Sequence, residues 1–350
     1  MINIKLATIN DQKAWDQYVI QHSDSTPYHH FAWLQSVQSA YKHKTLAWLA
    51  IDNNKKVVGV LPSVLIKPPL SSAKLSALPF CDVGGALTDT NEIKAELITT
   101  ANNYCKKNNI KTFEHRQSVD TTQNTDETIK TTNKVRMLLQ LPENSEILFA
   151  GFKSKLRSQI RKAEKNGLTS TVGRDQKHID GFYQVFARNM RDLGSPVHSK
   201  KWFEDILANY QNNIIISNIY KDNIVVGAGI VLFNGENCSI PWASTNADHN
   251  RLAPNMLLYW SLLAYATDNG CKSFDFGRST IGEGTYKFKK QWGTEPLALN
   301  WESYSNGAIL PEDLTTSTGK LRVYVEAVWK KLPVFLSITL GTKIRKYISL

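Results

Sequence analysis

The chain reads as an α/β protein with mixed sheets, built twice over, and three observations predict this: its length, a repeated hairpin, and a repeated passage from helix to strand. At 350 residues it exceeds what one hydrophobic core organises, since single cores stop growing at roughly 250–300 residues. Two domains are expected. Thr45–Ile51, the turn Asp52-Asn53-Asn54-Lys55 and Lys56-Val57-Val58-Gly59-Val60 describe a β-hairpin, and Ile214–Tyr220, Lys221-Asp222-Asn223 and Ile224-Val225-Val226-Gly227 describe another. Asn108-Asn109-Ile110-Lys111-Thr112-Phe113-Glu114 follows a helical stretch just as Asn269-Gly270-Cys271-Lys272-Ser273-Phe274-Asp275 does, at nearly the same offset from its hairpin.

Taken in order, each half runs helix, hairpin, further strand, long helix, strand, which suits an α/β layer rather than a sandwich or a bundle. Ile93–Lys107 is a helix with a polar surface and should bury one face only. Ser118–Lys134 is rich in Thr, Asn, Asp and Gln with little to bury, so an exposed excursion is expected. Val135–Leu141 then has strand character, and its expected place is a return to the first sheet. Lys153–Lys165 is a basic helix with only Glu164 against it, which sets Leu156, Ile160 and Ala163 on one stripe with Arg157 and Arg161 beside them. Asn255–Asn269 is apolar nearly all round, as a mostly buried helix is; Pro254 suits its first turn and Gly270 its end. Val323–Val328 and Leu332–Leu340 alternate apolar patches with Lys330, Lys331, Lys343, Arg345 and Lys346 around Pro333. The expected partition is 1–145, 146–310 and a basic amphipathic helical tail at 311–350.

Composition narrows the class further. Hydrophobic residues make up 42% and charged residues 21% of the chain, which excludes the disordered regime and supports a core in each half. Cys81, Cys105, Cys238 and Cys271 are scattered without a CxxC pair, so reduced, buried thiols are expected and neither a disulfide framework nor a metal site. The N-terminal Met-Ile-Asn-Ile-Lys-Leu has no basic stretch leading into an apolar run, and no run of 18 apolar residues occurs; the expectation is a cytoplasmic chain. A net charge of +11 suits a polyanionic partner such as a nucleotide phosphate, tRNA or an anionic membrane surface, and equally suits plain solubility. A basic amphipathic tail can lie on an anionic leaflet, each surface cation adding on the order of 1 kcal/mol, or pack on the protein with its cations in water. The first alternative places the chain peripherally at the inner membrane face.

At Phe274-Asp275-Phe276-Gly277-Arg278-Ser279, followed by Gly284-Thr285-Tyr286-Lys287-Phe288-Lys289-Lys290-Gln291-Trp292-Gly293, the sequence resembles the FemAB family of aminoacyl and peptidyl transferases. Lys155-Leu156-Arg157-Ser158-Gln159-Ile160-Arg161, Asn189-Met190-Arg191-Asp192-Leu193-Gly194-Ser195-Pro196-Val197 and Pro254-Asn255-Met256-Leu257-Leu258-Tyr259-Trp260 are similar to the subgroup associated with exosortase and exopolysaccharide loci, as is Trp329-Lys330-Lys331-Leu332-Pro333. The likeness is dense in the second half and sparse in the first, where Leu78-Pro79-Phe80 and Gly84-Gly85 carry it. It implies two tandem GNAT-like domains, with the cleft mainly in the second, joining an activated acyl group to an amine of a cell-envelope precursor of peptidoglycan or exopolysaccharide. The donor it implies is aminoacyl-tRNA; an acyl-CoA donor acting on an amino sugar is the competing reading, and a non-catalytic module holding a glycan precursor is the third.

Acyl transfer to an amine needs alignment and a stabilised oxyanion, and alignment alone supplies roughly 7–11 kcal/mol in favourable models. No GxSxG elbow, metal-ligand cluster or CxxC pair points to covalent or metal chemistry. Gly282–Gly293 combines glycines with Tyr286, Lys287, Lys289 and Lys290 after a strand end, where open α/β sheets place ligands. By resemblance to the Phe-Lys loop of FemAB enzymes, Lys289 polarises the acyl carbonyl, with Tyr286 beside it. Phe288 and Trp292 read as packing residues or as substrate contacts. Arg278 either clamps an anionic substrate or pairs with Asp275. Arg157 and Arg161 contact phosphate or form a solvated helix face, and His198 is a general base or a loop histidine. The turn Asn250-Arg251-Leu252-Ala253-Pro254-Asn255 lacks the glycine-rich approach to a helix N-terminus that holds a pyrophosphate, which weighs against CoA. The candidate set is Lys289, His198 and Tyr286 for catalysis, and Arg157, Arg161, Asn255, Asp275, Arg278, Lys287 and Trp292 for substrate binding.

Overall fold

The computed structural model describes residues 2–310 and 320–350; residues 311–319 of the expected tail lie outside the described residues. In chain order the elements begin β1 (Asn3–Leu6), α1 (Gln12–Gln21), α2 (Phe31–Tyr41), β2 (Lys44–Ile51), β3 (Val57–Ile66), β4 (Lys74–Ala77), β5 (Leu87–Thr88), α3 (Asn91–Lys107), β6 (Thr112–Ser118) and α4 (Asp126–Thr132). They continue β7 (Lys134–Gln140), α5 (Ser145–Gly151), α6 (Ser154–Lys165), β8 (Leu168–Gly173), α7 (Gln176–Leu193), α8 (Lys200–Tyr210), β9 (Ile214–Lys221), β10 (Ile224–Asn234) and β11 (Asn237–Thr245). The last are α9 (Pro254–Asp268), β12 (Ser273–Thr280), α10 (Gly284–Lys290), β13 (Glu295–Ser305), β14 (Ala308–Ile309), α11 (Lys320–Trp329) and α12 (Val334–Arg345). Contacts divide the described chain into one unit of residues 2–132, 298–310 and 346–350 and another of 133–297 and 320–345.

Each unit contains the same ladder. In the first, β1, β2, β3 and β4 pair antiparallel in succession, β4 pairs β6 parallel and β6 pairs β13 antiparallel. In the second, β8, β9, β10 and β11 pair antiparallel, β11 pairs β12 parallel and β12 pairs β7 antiparallel. The duplication seen in the sequence is thus a duplication of topology, and the fold is two tandem GNAT-like α/β units with a C-terminal helical pair. One expectation changes here: the strand that takes the edge of β6 is not β7. The edge of β6 is taken by β13, from Leu299 against Ser118 to Tyr304 against Phe113, so the alternating buried residues Val135, Met137 and Leu139 are covered in the second unit against β12. The expected boundary at residue 145 moves to 132/133 for the same reason, and residues 298–310 and 346–350 belong to the first unit.

Local chemistry explains the elements. Asp52 closes the first hairpin by accepting from the Asn54 and Lys56 amides at 2.9 and 2.8 Å. β3 runs on past the expected Val60 through Pro62, and every one of its residues is buried. Proline is tolerated there because β5 covers only Gly59 and Val60 and β4 only Val64–Ile66, so no ladder on that side needs the missing amide. α3 buries Ile93, Leu97 and Ala101, a single stripe against the first sheet, as its polar remainder predicts. In the second unit neighbouring residues of β9 point to opposite faces: Ser217 bonds Ser261 of α9 at 2.6 Å, and Asn218 donates to the His178 carbonyl of α7 at 3.2 Å. The sheet is therefore covered by α9 on one face and α7 on the other. All four cysteines are free and buried.

Candidate active site

The second sheet opens where its two parallel strands part. β11 and β12 pair only over Asn237, Cys238 and Ser239 against Ser273, Phe274 and Asp275, yet β11 runs on to Thr245 and β12 to Thr280. Both strands carry a bulge at that level. On β11, Ile240 and Pro241 face a single residue of β10, between the pairs Ile230↔Trp242 and Leu232↔Ser239; on β12, Phe276 and Gly277 face the single residue Met137 of β7. A bulge raises local twist and turns a strand aside, so two bulges side by side splay the pair. Pro241 suits its bulge because it has no amide to donate. Gly277 suits the other because its φ is 72°, a conformation that side chains with a Cβ resist.

The bulge on β12 is held from several directions. Asp275 accepts the Gly277 amide at 2.8 Å and is gripped by Arg136 of β7 through Nη2 at 2.8 Å and Nε at 3.0 Å. Both side chains are largely buried, so this fork is a strong and directional tie. From α10, Lys289 donates to the Gly277 carbonyl at 3.0 Å and the Arg278 carbonyl at 2.7 Å. Beside the bulge stands an aromatic wall: Tyr259 stacks on Phe276 at 5.4 Å, Phe288 meets Tyr259 edge-on at 5.0 Å, and Trp292 lies 6.0 Å from Tyr259. Burial pushes the Tyr259 phenol well above the ordinary tyrosine range, so it stays protonated.

The expected site residues fall into three groups. Asp275, Arg278, Tyr286, Lys287 and Lys289 come together on β12 and α10, with Trp292 in the turn just after α10, and Asn255 shares a face of α9 with Tyr259, one turn away. Arg157 and Arg161 lie on α6, which packs Leu156, Ile160 and Ala163 inward on the predicted stripe. Arg157 donates to the Ala150 carbonyl at 3.0 Å, while Arg161 is exposed, its guanidinium 5.3 Å from the Phe149 ring. His198 is elsewhere. Its ring is 2% exposed, stacked on Trp202 at 5.7 Å and edged by Phe203 and Trp242. Burial first, and the Arg345 guanidinium second, hold its imidazole well below the ordinary histidine range. A base must reach the proton it takes, and His198 is a core residue.

Three further expectations change. Lys289 is buried and two of its three donors lie on backbone carbonyls, so the surface-lysine alternative falls away and its charge sits behind the bulge. Trp292, 1% exposed and packed on Phe152, Phe276 and Phe288, is core rather than a substrate contact. The grip on Asp275 comes from Arg136, a strand residue that carries no motif of its own. Tyr259 and Arg136 are the functional candidates that motif reading passes over; a phenol four residues from Asn255, on the same face of a mostly apolar helix, is the signal for the first.

Residues 150–290 match a family model described as the Acetyltransferase (GNAT) domain. Among solved structures, FemX aligns with a TM-score of 0.68 at 15% identity, covering 89% of this chain and 98% of its own. L-PGS from Bacillus licheniformis aligns with a TM-score of 0.55 at 8% identity, covering 94% of this chain and 99% of its own. A tandem GNAT protein from the clavulanic acid biosynthesis pathway, solved without AcCoA, aligns with a TM-score of 0.54 at 10% identity, covering 88% and 99%. No curated protein matches the sequence.

Proposed function

We propose that this chain, a GNAT-type acyltransferase with the FemAB-like tandem fold, joins an activated acyl or aminoacyl group to an amine of a cell-envelope precursor at the splay between β11 and β12. The observation that carries the reading is that splay, bulged on both strands and locked by Lys289 and Asp275. Where the strands part, the backbone of Ile240–Thr245 offers a strand edge along which an extended acyl donor can lie. The amine nitrogen attacks the acyl carbon, a C–N bond forms, and the carbonyl oxygen becomes an oxyanion that backbone amides at the bulge and the Lys289 charge behind them stabilise. The bond from carbon to the donor's oxygen or sulfur then breaks, and the proton lost by the amine passes to that leaving group. Tyr259, stacked on Phe276 of the bulge, is the proton donor we assign to that step, with Tyr286 and Asn255 beside it and Arg278 and Lys287 meeting acceptor anions.

The donor reading favours aminoacyl-tRNA. Approaching α9, the chain passes through a turn without glycine, Pro254 has no amide, and the Met256 amide already donates to the Ala253 carbonyl at 3.0 Å, which leaves little for a CoA pyrophosphate. The exposed cations of α6 supply a surface for a phosphate backbone. The test offers the purified protein radiolabelled aminoacyl-tRNA and acetyl-CoA, each with a UDP-linked muropeptide and with an amino sugar. Ribonuclease-sensitive labelling of the muropeptide is the expected result; labelling from acetyl-CoA alone would overturn the donor, and no transfer from either would overturn the reading.

A further inference from the structure

Helix α12 is packed inside out. At 100° per residue, Val334, Ser337, Ile338, Gly341 and Arg345 share one half of its circumference, and Phe335, Leu336, Leu340, Lys343 and Ile344 share the other. The first half faces the protein: Ser337 and Gly341 are buried, and a Cβ on Gly341 would stand 2.8 Å from the Val197 amide nitrogen. The second half faces out, with Phe335 66%, Leu336 38%, Leu340 44% and Ile344 44% exposed. A surface helix usually does the reverse, putting large apolar groups on the core and small or charged ones in water. Helix α11 continues the pattern, exposing Val323, Tyr324 and Val328 at 67%, 69% and 45% while burying Trp329. Cations border this surface: Lys330 and Lys331 stand exposed where the two helices meet, and Lys343 is exposed on the apolar half of α12 itself. No helix among the described residues is long and apolar enough to cross a membrane.

We propose that the outer face of α11 and α12 is an interfacial membrane-binding element that lies on an anionic lipid surface. Outward Phe, Leu and Ile enter the acyl boundary, Tyr324 takes the headgroup level, and Lys330, Lys331 and Lys343 meet lipid phosphates. Charge decides among occupants. A second copy of this chain would oppose these cations with the same cations, whereas an anionic leaflet complements them. The assignment goes beyond the transfer reaction and does not depend on it.

The test is co-sedimentation of the full-length protein with phosphatidylglycerol-containing vesicles and with pure phosphatidylcholine vesicles, at low and high salt. The wild type should bind the anionic vesicles and release as salt rises. The double variant Phe335→Ser/Leu340→Ser, which alters exposed side chains only, should bind at least about tenfold more weakly with an unchanged melting temperature. Should that variant misfold, Lys330→Glu/Lys331→Glu should lose binding to the anionic vesicles by a similar factor. Wild-type protein that ignores anionic vesicles at low salt, or properly folded variants that bind as well as wild type, would overturn the proposal. So would a wild-type dimer that becomes monomeric in Phe335→Ser/Leu340→Ser, since the face would then belong to a second copy.

Discussion

A lysine ammonium carries three donors, and Lys289 sets two of them on the carbonyls of a bulge that forms one side of the splay. Truncating it leaves those buried acceptors without their charged donor, at a cost of about 1–3 kcal/mol. Lys289→Ala is therefore expected to lower both the melting temperature and the rate of transfer, and thermal melts run beside activity assays check this. An unchanged melting temperature would show that the clamp does not hold the bulge. His198 makes the opposite case. Its ring lies among Trp202, Phe203 and Trp242, so His198→Phe keeps a planar, somewhat larger ring in the cluster without a titrating group. Transfer should stay within about twofold of wild type even where the larger ring lowers the melting temperature by overpacking; a large loss of rate at an unchanged melting temperature would return His198 to the reaction.

Elements with a strong period were legible. The α6 stripe of Leu156, Ile160 and Ala163, the single buried face of α3 and the largely buried α9 all follow from apolar spacing that burial then satisfies. The site was legible as a place and less so as a set of roles. Its motif residues cluster on β12 and α10, but burial, which assigns Lys289 to backbone carbonyls and Trp292 to packing, depends on neighbours far away in sequence. Arg136 shows the limit, since its partner Asp275 is reached only through the pairing of β7 with β12. On α6 itself, Arg161 and Lys162 are exposed while Arg157 is tied to the Ala150 carbonyl. Arg161→Glu/Lys162→Glu should thus weaken binding of total tRNA and flatten its dependence on salt without disturbing the helix. Equal affinity and equal salt slope would leave the ridge as a solvated face.

For the whole molecule, the repeat was legible because hairpins and helix ends carry local signals, whereas the exchange of β7 and β13 was not, because a strand's apolar alternation does not say which edge it covers. Stability should respond to pH through histidines in both units. His43 and His115 in the first and His198 in the second are all held below the ordinary value of 6.5, in each case chiefly by burial. His115 accepts the Ala86 amide on Nε2 at 3.0 Å, which leaves its proton on Nδ1, 3.7 Å from Glu302. The native rings stay neutral as pH falls below 6.5 while the same rings in the unfolded chain take up protons. The unfolded state then binds more protons, and stability falls with falling pH by up to about 1.4 kcal/mol per pH unit for each such ring. Glu302 acts in a lower window: His115 and Tyr304 hold its carboxyl down at about 2 from 4.5, so its contribution is intact above 4.5 and is lost as pH drops toward 2. The melting temperature should accordingly be level above neutral pH, decline from about pH 6.5, and steepen once pH falls below 4.5. His198→Phe should make the first decline shallower, because one ring no longer distinguishes the two states, and a melting temperature that stays level from pH 7.5 to 5 would show that these histidines are not buried neutral.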